Sequence, residues 1–126
     1  MNQFPSTAFA EVVFVDCVSG NVEDRVTGPP SATGRCVVYE VPSSGVQSDR
    51  VRELVVFVGR EAGLGSGHVF VCITGMGVGH ESCRGFMRAL MDTGVVVGVC
   101  IKAAPTIAHR LLLDVPFEHV SNLREI

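Results

Sequence analysis

A mixed-sheet α/β domain with two helices is the fold class this sequence predicts, and three observations predict it. Four runs rich in apolar and β-branched residues, 11–22, 35–41, 68–74 and 95–101, read as strands. Two stretches between the later runs carry apolar residues at steps of three and four, the helical period. The resulting order, strand, strand, helix, strand, helix, strand, is that of parallel strands joined by crossover helices packed on a sheet. With 126 residues and 47% hydrophobic content, the chain is long enough to bury a core without disulfides or metal. No repeat or low-complexity tract divides it, so one domain over residues 1–126 is expected.

EVVFVDCVSGNV opens the first strand and supplies, in Ser19, Gly20 and Asn21, a tight turn that begins a hairpin. TGPPSATG (27–34) reads as a loop, RCVVYEV (35–41) as the second strand and PSSGVQS (42–48) as another loop. Ser48 or Asp49 is placed to cap a helix running to Gly63, with Val51, Leu54, Val55, Val58 and Ala62 on its core face and Gly63 as its stop. Gly59 inside it costs about 1 kcal/mol relative to Ala, so packing must hold this helix. HVFVCIT (68–74) is a buried strand. A second helix follows, with Cys83, Phe86, Met87, Leu90 and Met91 inward, Gly94 as its stop, and VVVGVCI (95–101) as the last strand.

The formal net charge of −3 argues against a generally basic nucleic-acid binder, but the charge is uneven. Acids dominate the first third, with Glu11, Asp16, Glu23 and Asp24 against Arg25, whereas residues 74–110 carry Arg84, Arg88, Lys102 and Arg110 against Glu81 and Asp92. Of the ten basic residues only Lys102 is lysine, a bias toward the side chain that forks onto phosphate. The five cysteines, at 17, 36, 72, 83 and 100, are odd in number and nowhere spaced C-x-x-C, which fits a reducing compartment. No apolar run approaches the roughly 18 residues of a membrane span, and no Arg or Lys precedes Arg25, so neither a membrane partner nor a leader of the usual kind is expected.

The chemistry concentrates in ITGMGVGHESCRGFMRALMDTG (73–94), where an apolar strand runs into glycines at 75, 77 and 79 and then into a helix. Clustered glycines mean close approach of something to the main chain: a nucleotide phosphate, a nucleic-acid backbone, or a neighbouring part of the same fold. The free N–H groups of the helix start favour an anion, and Arg84 and Arg88, four apart, share one face beside it. A dinucleotide site is disfavoured, because the third glycine falls one position early for G-x-G-x-x-G and no acidic residue follows at the ribose position. Walker A and G-x-S-x-G are absent. A zinc site on His80 and Cys83 lacks two further ligands, Cys83 with His80 lacks an orienting third group, and no Asp/Glu cluster is evident at strand ends for two metal ions. No catalytic residue, metal or cofactor is therefore expected.

These residues carry a resemblance. The run G-M-G-V-G-H-E-S (75–82), then R-A-L (88–90), Gly94, an apolar strand and P-T-I-A-H (105–109) resembles the G-x-G-x-G-R-E-S, R-A-L, G and T-P-I-P-H sequence of the small-subunit ribosomal protein S-eleven family. V-F-V-D-C-V-S-G-N-V looks like that family's second strand and turn, and residues 49–63 like its first long helix. Three features depart from the family. Three extra residues separate Glu81-Ser82 from Arg88, so either Arg84 or Arg88 stands for the family's Arg; His80 replaces an Arg; and LLLDVPFEHVSNLREI (111–126), an apolar and acidic extension, replaces a basic tail.

The resemblance implies a ribonuclease H-like α/β domain of the ribosomal S-eleven type, without nuclease chemistry, on the platform of the small ribosomal subunit. Its partners would be small-subunit ribosomal RNA and neighbouring ribosomal proteins, and the lost positive charge points to a mitochondrial ribosome, with another organellar or a cytoplasmic ribosome as alternatives. The implied RNA-binding residues are Gly75, Gly77, Gly79, His80, Ser82, Arg84, Arg88, Lys102, Thr106, His109 and Arg110. Two other functions stay open: an α/β enzyme holding a small phosphorylated ligand at the Gly75–Gly79 turn, and an interaction adaptor without RNA binding.

Overall fold

A computed structural model describes residues 9–28, 30–65, 67–102 and 120–121. They form a single α/β unit: strands β1 (Phe9–Asp16), β2 (Val22–Thr27) and β3 (Gly34–Glu40), helix α1 (Ser48–Gly63), strand β4 (Val69–Thr74), helix α2 (Ser82–Asp92), and strands β5 (Val96–Lys102) and β6 (Val120–Ser121). The mixed sheet has the order β2-β1-β3-β4-β5-β6. β1, β3, β4 and β5 are mutually parallel, while β2 and the two-residue β6 run antiparallel at the edges.

The β1–β2 hairpin closes as the turn residues predict. Asp16 accepts hydrogen bonds from the Val18 N–H and the Ser19 hydroxyl, and Gly20 takes the left-handed conformation at φ 76°. β2 takes in Val22 from the first predicted run, Thr27 from the predicted loop and the four residues between them, to which the sequence assigns no element. Its six residues, VEDRVT, are almost wholly exposed, so no alternation of apolar and polar residues marks it; backbone pairing to β1 defines it. The chain then crosses the start of β1, where the Gly28 N–H donates to the Ala10 carbonyl, and enters β3 alongside and parallel to β1.

Both helices lie on one face of the sheet. Alternate residues Val13, Val15, Val37, Tyr39, Val71, Ile73 and Val99 point to that face and meet Leu54, Val58 and Ala62 of α1 and Cys83, Phe86, Met87 and Leu90 of α2. Val51, Val55 and Met91 complete the expected stripes from partly buried positions. Tyr39 joins the sheet to both helices: its hydroxyl donates to the Leu54 carbonyl at 2.6 Å, and its ring meets Phe86 edge-on at 5.1 Å. The other sheet face carries a second cluster, Phe9, Val12, Cys36, Val38, Phe70 and Cys72. β4, central in the sheet, is buried at every position.

The helix ends depart from expectation. Gln47 occupies the N-cap of α1 with no side-chain bond, so neither Ser48 nor Asp49 caps it. Gly63 belongs to the helix, Leu64 follows still in the right-handed region, and the reversal comes at Gly67, φ 85°, whose N–H donates to the Ala62 carbonyl. Gly94, φ 76°, ends α2 as predicted, because a left-handed residue there costs glycine nothing. Within 111–126, Val120 and Ser121 pair with Cys100 and Val99, so part of the extension joins the domain's own sheet; its other residues lie outside the described ones.

Glu61 sits on the buried face of α1, 3% exposed, one turn beyond Val58. Arg25 of β2 and Arg35 of β3 both donate to its carboxylate, and both also reach Glu11 of β1, so four charges tie the helix to three strands. Burial pushes the Glu61 carboxyl up, but the hydrogen bonds and charges of the two arginines outweigh it and hold the carboxyl below its ordinary value. A carboxyl so lowered contributes stability above its unfolded pKa and loses it as pH falls through its folded pKa. Glu61→Ala leaves a largely buried Arg35 with Glu11 as its one carboxylate partner among the described residues and is expected to cost about 3 kcal/mol at pH 7. Urea titrations between pH 7 and about pH 3 check this: wild type loses stability on acidification, and Glu61→Gln, already weaker at pH 7, loses less.

Candidate nucleic-acid interface

The glycine turn leaves the C-terminal end of β4, where Thr74 lies between Glu40 of β3 and Lys102 of β5. Its inner side is occupied by the chain itself. Val41, just past β3, donates its N–H to the Thr74 carbonyl at 2.8 Å and accepts the Gly77 N–H at 3.0 Å, so β3's hydrogen bonding continues along the turn. A Cβ on Gly75, which has φ 108°, would fall on the Val41 carbonyl oxygen. A Cβ on Gly77 would fall on the Pro42 carbonyl oxygen and within 2.8 Å of Val41 Cγ1. Of the three candidates that the spacing left open, these two glycines therefore serve the neighbouring part of the fold. Gly79 differs: it is exposed, with nothing within 4 Å of a Cβ placed there.

The outer side of the turn is open. Met76 is 86% exposed at its tip, and Gly79, His80 and Glu81 follow on the surface. The chain enters α2 through successive tight turns, with the His80 N–H donating to Gly77 and the Cys83 N–H to His80. Glu81 is the N-cap in helical conformation and caps nothing with its side chain. No described group accepts from the N–H of Gly79 or Glu81, which leaves both for an outside acceptor. Arg84 and Arg88 stand exposed on α2, and neither forms an ion pair among the described residues. Four residues of helix separate them by about 6 Å of rise.

Ser82 is not a free ligand. Its hydroxyl accepts the Val46 N–H at 2.8 Å and lies 2.8 Å from Nδ1 of His80, while its own N–H donates to that nitrogen at 3.1 Å. The β3–α1 loop thus reaches the start of α2, and Gly45, φ 81°, is buried where a Cβ would meet both side chains. Nothing in SSG as a sequence distinguishes Gly45 from an ordinary loop glycine, so Gly45 and Val46 are site residues the sequence did not announce. Lys102 ends β5 opposite Thr74; its side chain, and Thr106, His109 and Arg110 entirely, lie outside the described residues.

Cys83 is buried, donates its thiol to the Gly77 carbonyl at 3.1 Å, and is pushed above the usual thiol range by burial, so it packs the turn rather than standing ready as a thiolate. The Cys17 thiol is pushed up to about 12 by burial, then by Cys83, Asp16 and Glu40. Carboxylates do gather at strand ends: Asp16 and Glu40 are register partners, and burial together with Glu40 and Asp16 pushes the Glu23 carboxyl up. They gather because β1 and β3, distant in sequence pattern, end side by side. Among the described residues, however, no group of three or more His, Cys, Asp or Glu is arranged to hold a metal ion, and no helix is long and apolar enough to cross a membrane.

Gly77→Ala is expected to destabilise the fold by several kcal/mol, because backbone rather than a flexible side chain blocks the new methyl. Gly79→Ala, at an open position outside the left-handed region, is expected to stabilise by about 0.4–1 kcal/mol through lost chain entropy. Chemical denaturation of both variants checks the contrast; equal effects would show that the turn is not packed as described. No family model, no curated protein and no solved structure matches this chain, so the role of the turn is inferred from its own geometry.

Proposed function

We propose that this chain is a structural component of the small ribosomal subunit, a ribonuclease H-like domain of the S-eleven type that binds small-subunit RNA through the outer side of the glycine turn and the start of α2. One observation carries the reading: the turn's inner side is filled by Val41 and Pro42, while its outer side presents the N–H groups of Gly79 and Glu81 beside Arg84 and Arg88, none of them partnered among the described residues. A small phosphorylated ligand needs an enclosing cradle. An extended polyanion needs only an open rim with cations at phosphate spacing, and Arg84 and Arg88, about 6 Å apart along the helix, supply one. Such contacts position RNA rather than read its bases. The motif resemblance over 75–109 supports the same assignment.

The acidic β2–β1–β3 side of that same end of the sheet supports the second half of the proposal, contact with neighbouring ribosomal proteins. Asp16, Glu23, Asp24 and Glu40 repel phosphate, and the exposed Val18 and Val22 beside them suit a protein surface. A mitochondrial ribosome is the proposed location, on the acidic balance of the chain.

Arg84→Ala with Arg88→Ala is expected to leave folding intact and to flatten the salt dependence of binding to small-subunit RNA. Each lost phosphate contact lowers the logarithmic slope by about 0.7–0.9, so the double variant should lose about 1.5. Filter binding across a salt series, with circular dichroism as the folding control, measures this; an unchanged slope and affinity would overturn the RNA assignment. Sedimentation of the endogenous protein with a small ribosomal subunit in high salt tests the assembly itself, and its absence there would favour an adaptor.

A further inference from the structure

We propose that Ser82 is a positioning residue that fixes the tautomer of His80, so that His80 meets the RNA backbone as an uncharged donor through its outward Nε2–H; the RNA contact rests on the function proposed above, the tautomer does not. The argument begins at a group that cannot change its role. The Ser82 backbone N–H points at His80 Nδ1 from 3.1 Å. An amide can only donate, so Nδ1 must carry its lone pair toward it, and the ring's proton must be on Nε2. The Ser82 hydroxyl fixes the same state from the other side. It accepts the Val46 N–H at 2.8 Å, which leaves its own proton to donate to Nδ1, also at 2.8 Å. Turning the ring over would set a carbon where both donors now point.

Gly45 is the second, independent sign of this arrangement. It is buried against the pair, and a Cβ there would lie 2.5 Å from Nδ1 and 2.7 Å from Cγ of His80, closer than real contacts allow. The loop has conformed to the imidazole and hydroxyl in these positions. Inward, His80 is therefore committed; outward, it is exposed and next to the N–H groups of Gly79 and Glu81. A neutral donor among amide donors adds direction without charge. That separates it from Arg84 and Arg88: its loss should weaken binding equally at every salt concentration, because no counterion is released by an uncharged contact.

Nitrogen-15 NMR of the RNA-free full chain at neutral pH reads the tautomer directly. Wild type and Ser82→Thr should show His80 with its proton on Nε2 alone, and Ser82→Ala, which keeps the backbone N–H but loses the hydroxyl, should shift measurably part of the way toward the mixture of an unrestrained imidazole. A mixture, or a proton on Nδ1, in wild type overturns the lock whatever the RNA does. In filter binding with small-subunit RNA, His80→Ala and Ser82→Ala should each weaken binding about fivefold to tenfold with the salt slope unchanged. The double variant should be no weaker than His80→Ala, because Ser82 acts through the ring. Gln in His80→Gln places an amide near Nε2 and should restore most of the loss. Additive losses, or a slope that changes with His80→Ala, overturn the neutral-donor role. If wild type shows the Nε2 proton but does not bind this RNA, the proposed function fails and the lock stands.

Discussion

The close packing of Gly75 and Gly77 on Val41 and Pro42 is the constraint on which the rest of the site depends. Two adjacent parallel strands, β3 and β4, end at the same level, and their outgoing chains would ordinarily diverge. Removing two side chains lets the backbones touch and exchange hydrogen bonds instead. The loop leaving β3 is thereby held beside the turn leaving β4, close enough for Val46 to reach Ser82. α2 then starts at a fixed point, and Cys83, bonded to the Gly77 carbonyl, anchors its first turn in the core.

That constraint divides the turn into two sides with different duties. Its concave side is spent on folding, which removes the pocket that clustered glycines often make for a phosphate. Its convex side keeps the N–H groups of Gly79 and the N-cap Glu81, whereas those of Ser82, Cys83 and Arg84 are already bonded, and it adds exposed arginines that form no ion pair among the described residues. An RNA backbone is a surface ligand of the right shape for such a rim. His80 fits the same picture, because its Nδ1 is engaged by Ser82 while the residue is exposed on the outer side.

Charge is distributed by the same logic. Glu61, Glu11, Arg25 and Arg35 form a network that spends four charges internally, and Nε of Arg35 is buried with no partner among the described residues. Such a network ranks low as a source of net stability, since desolvation offsets much of its attraction, but it fixes how α1 lies across β1, β2 and β3. With those arginines committed, the exposed Arg84 and Arg88 of α2, like Arg52 and Arg60 of α1, form no ion pair among the described residues. Asp16, Glu23 and Glu40 lie at the same C-terminal strand ends as the turn, toward the β2 edge, and give that side the opposite sign.

The helical stripes Leu54, Val58, Ala62 and Cys83, Phe86, Met87, Leu90 were legible because a local period forces them onto one face, and β4 because six consecutive buried residues have one explanation. The cluster of glycines announced a close approach, and the exposed positions of Arg84 and Arg88 followed from the same period. β2 escaped because VEDRVT is solvated on both faces, so its strand character lives in hydrogen bonds to β1 and not in its side chains. Glu61 stood at a core spacing, yet only partners 26 and 36 residues away make a buried carboxylate tolerable there. What approaches Gly75 and Gly77, and why Gly45 must lack a side chain, were likewise decided by tertiary structure alone. Periodicity is a property of neighbours along the chain, whereas contact between Val41 and Gly77, or Val46 and Ser82, exists only once the parallel strands have brought their ends together.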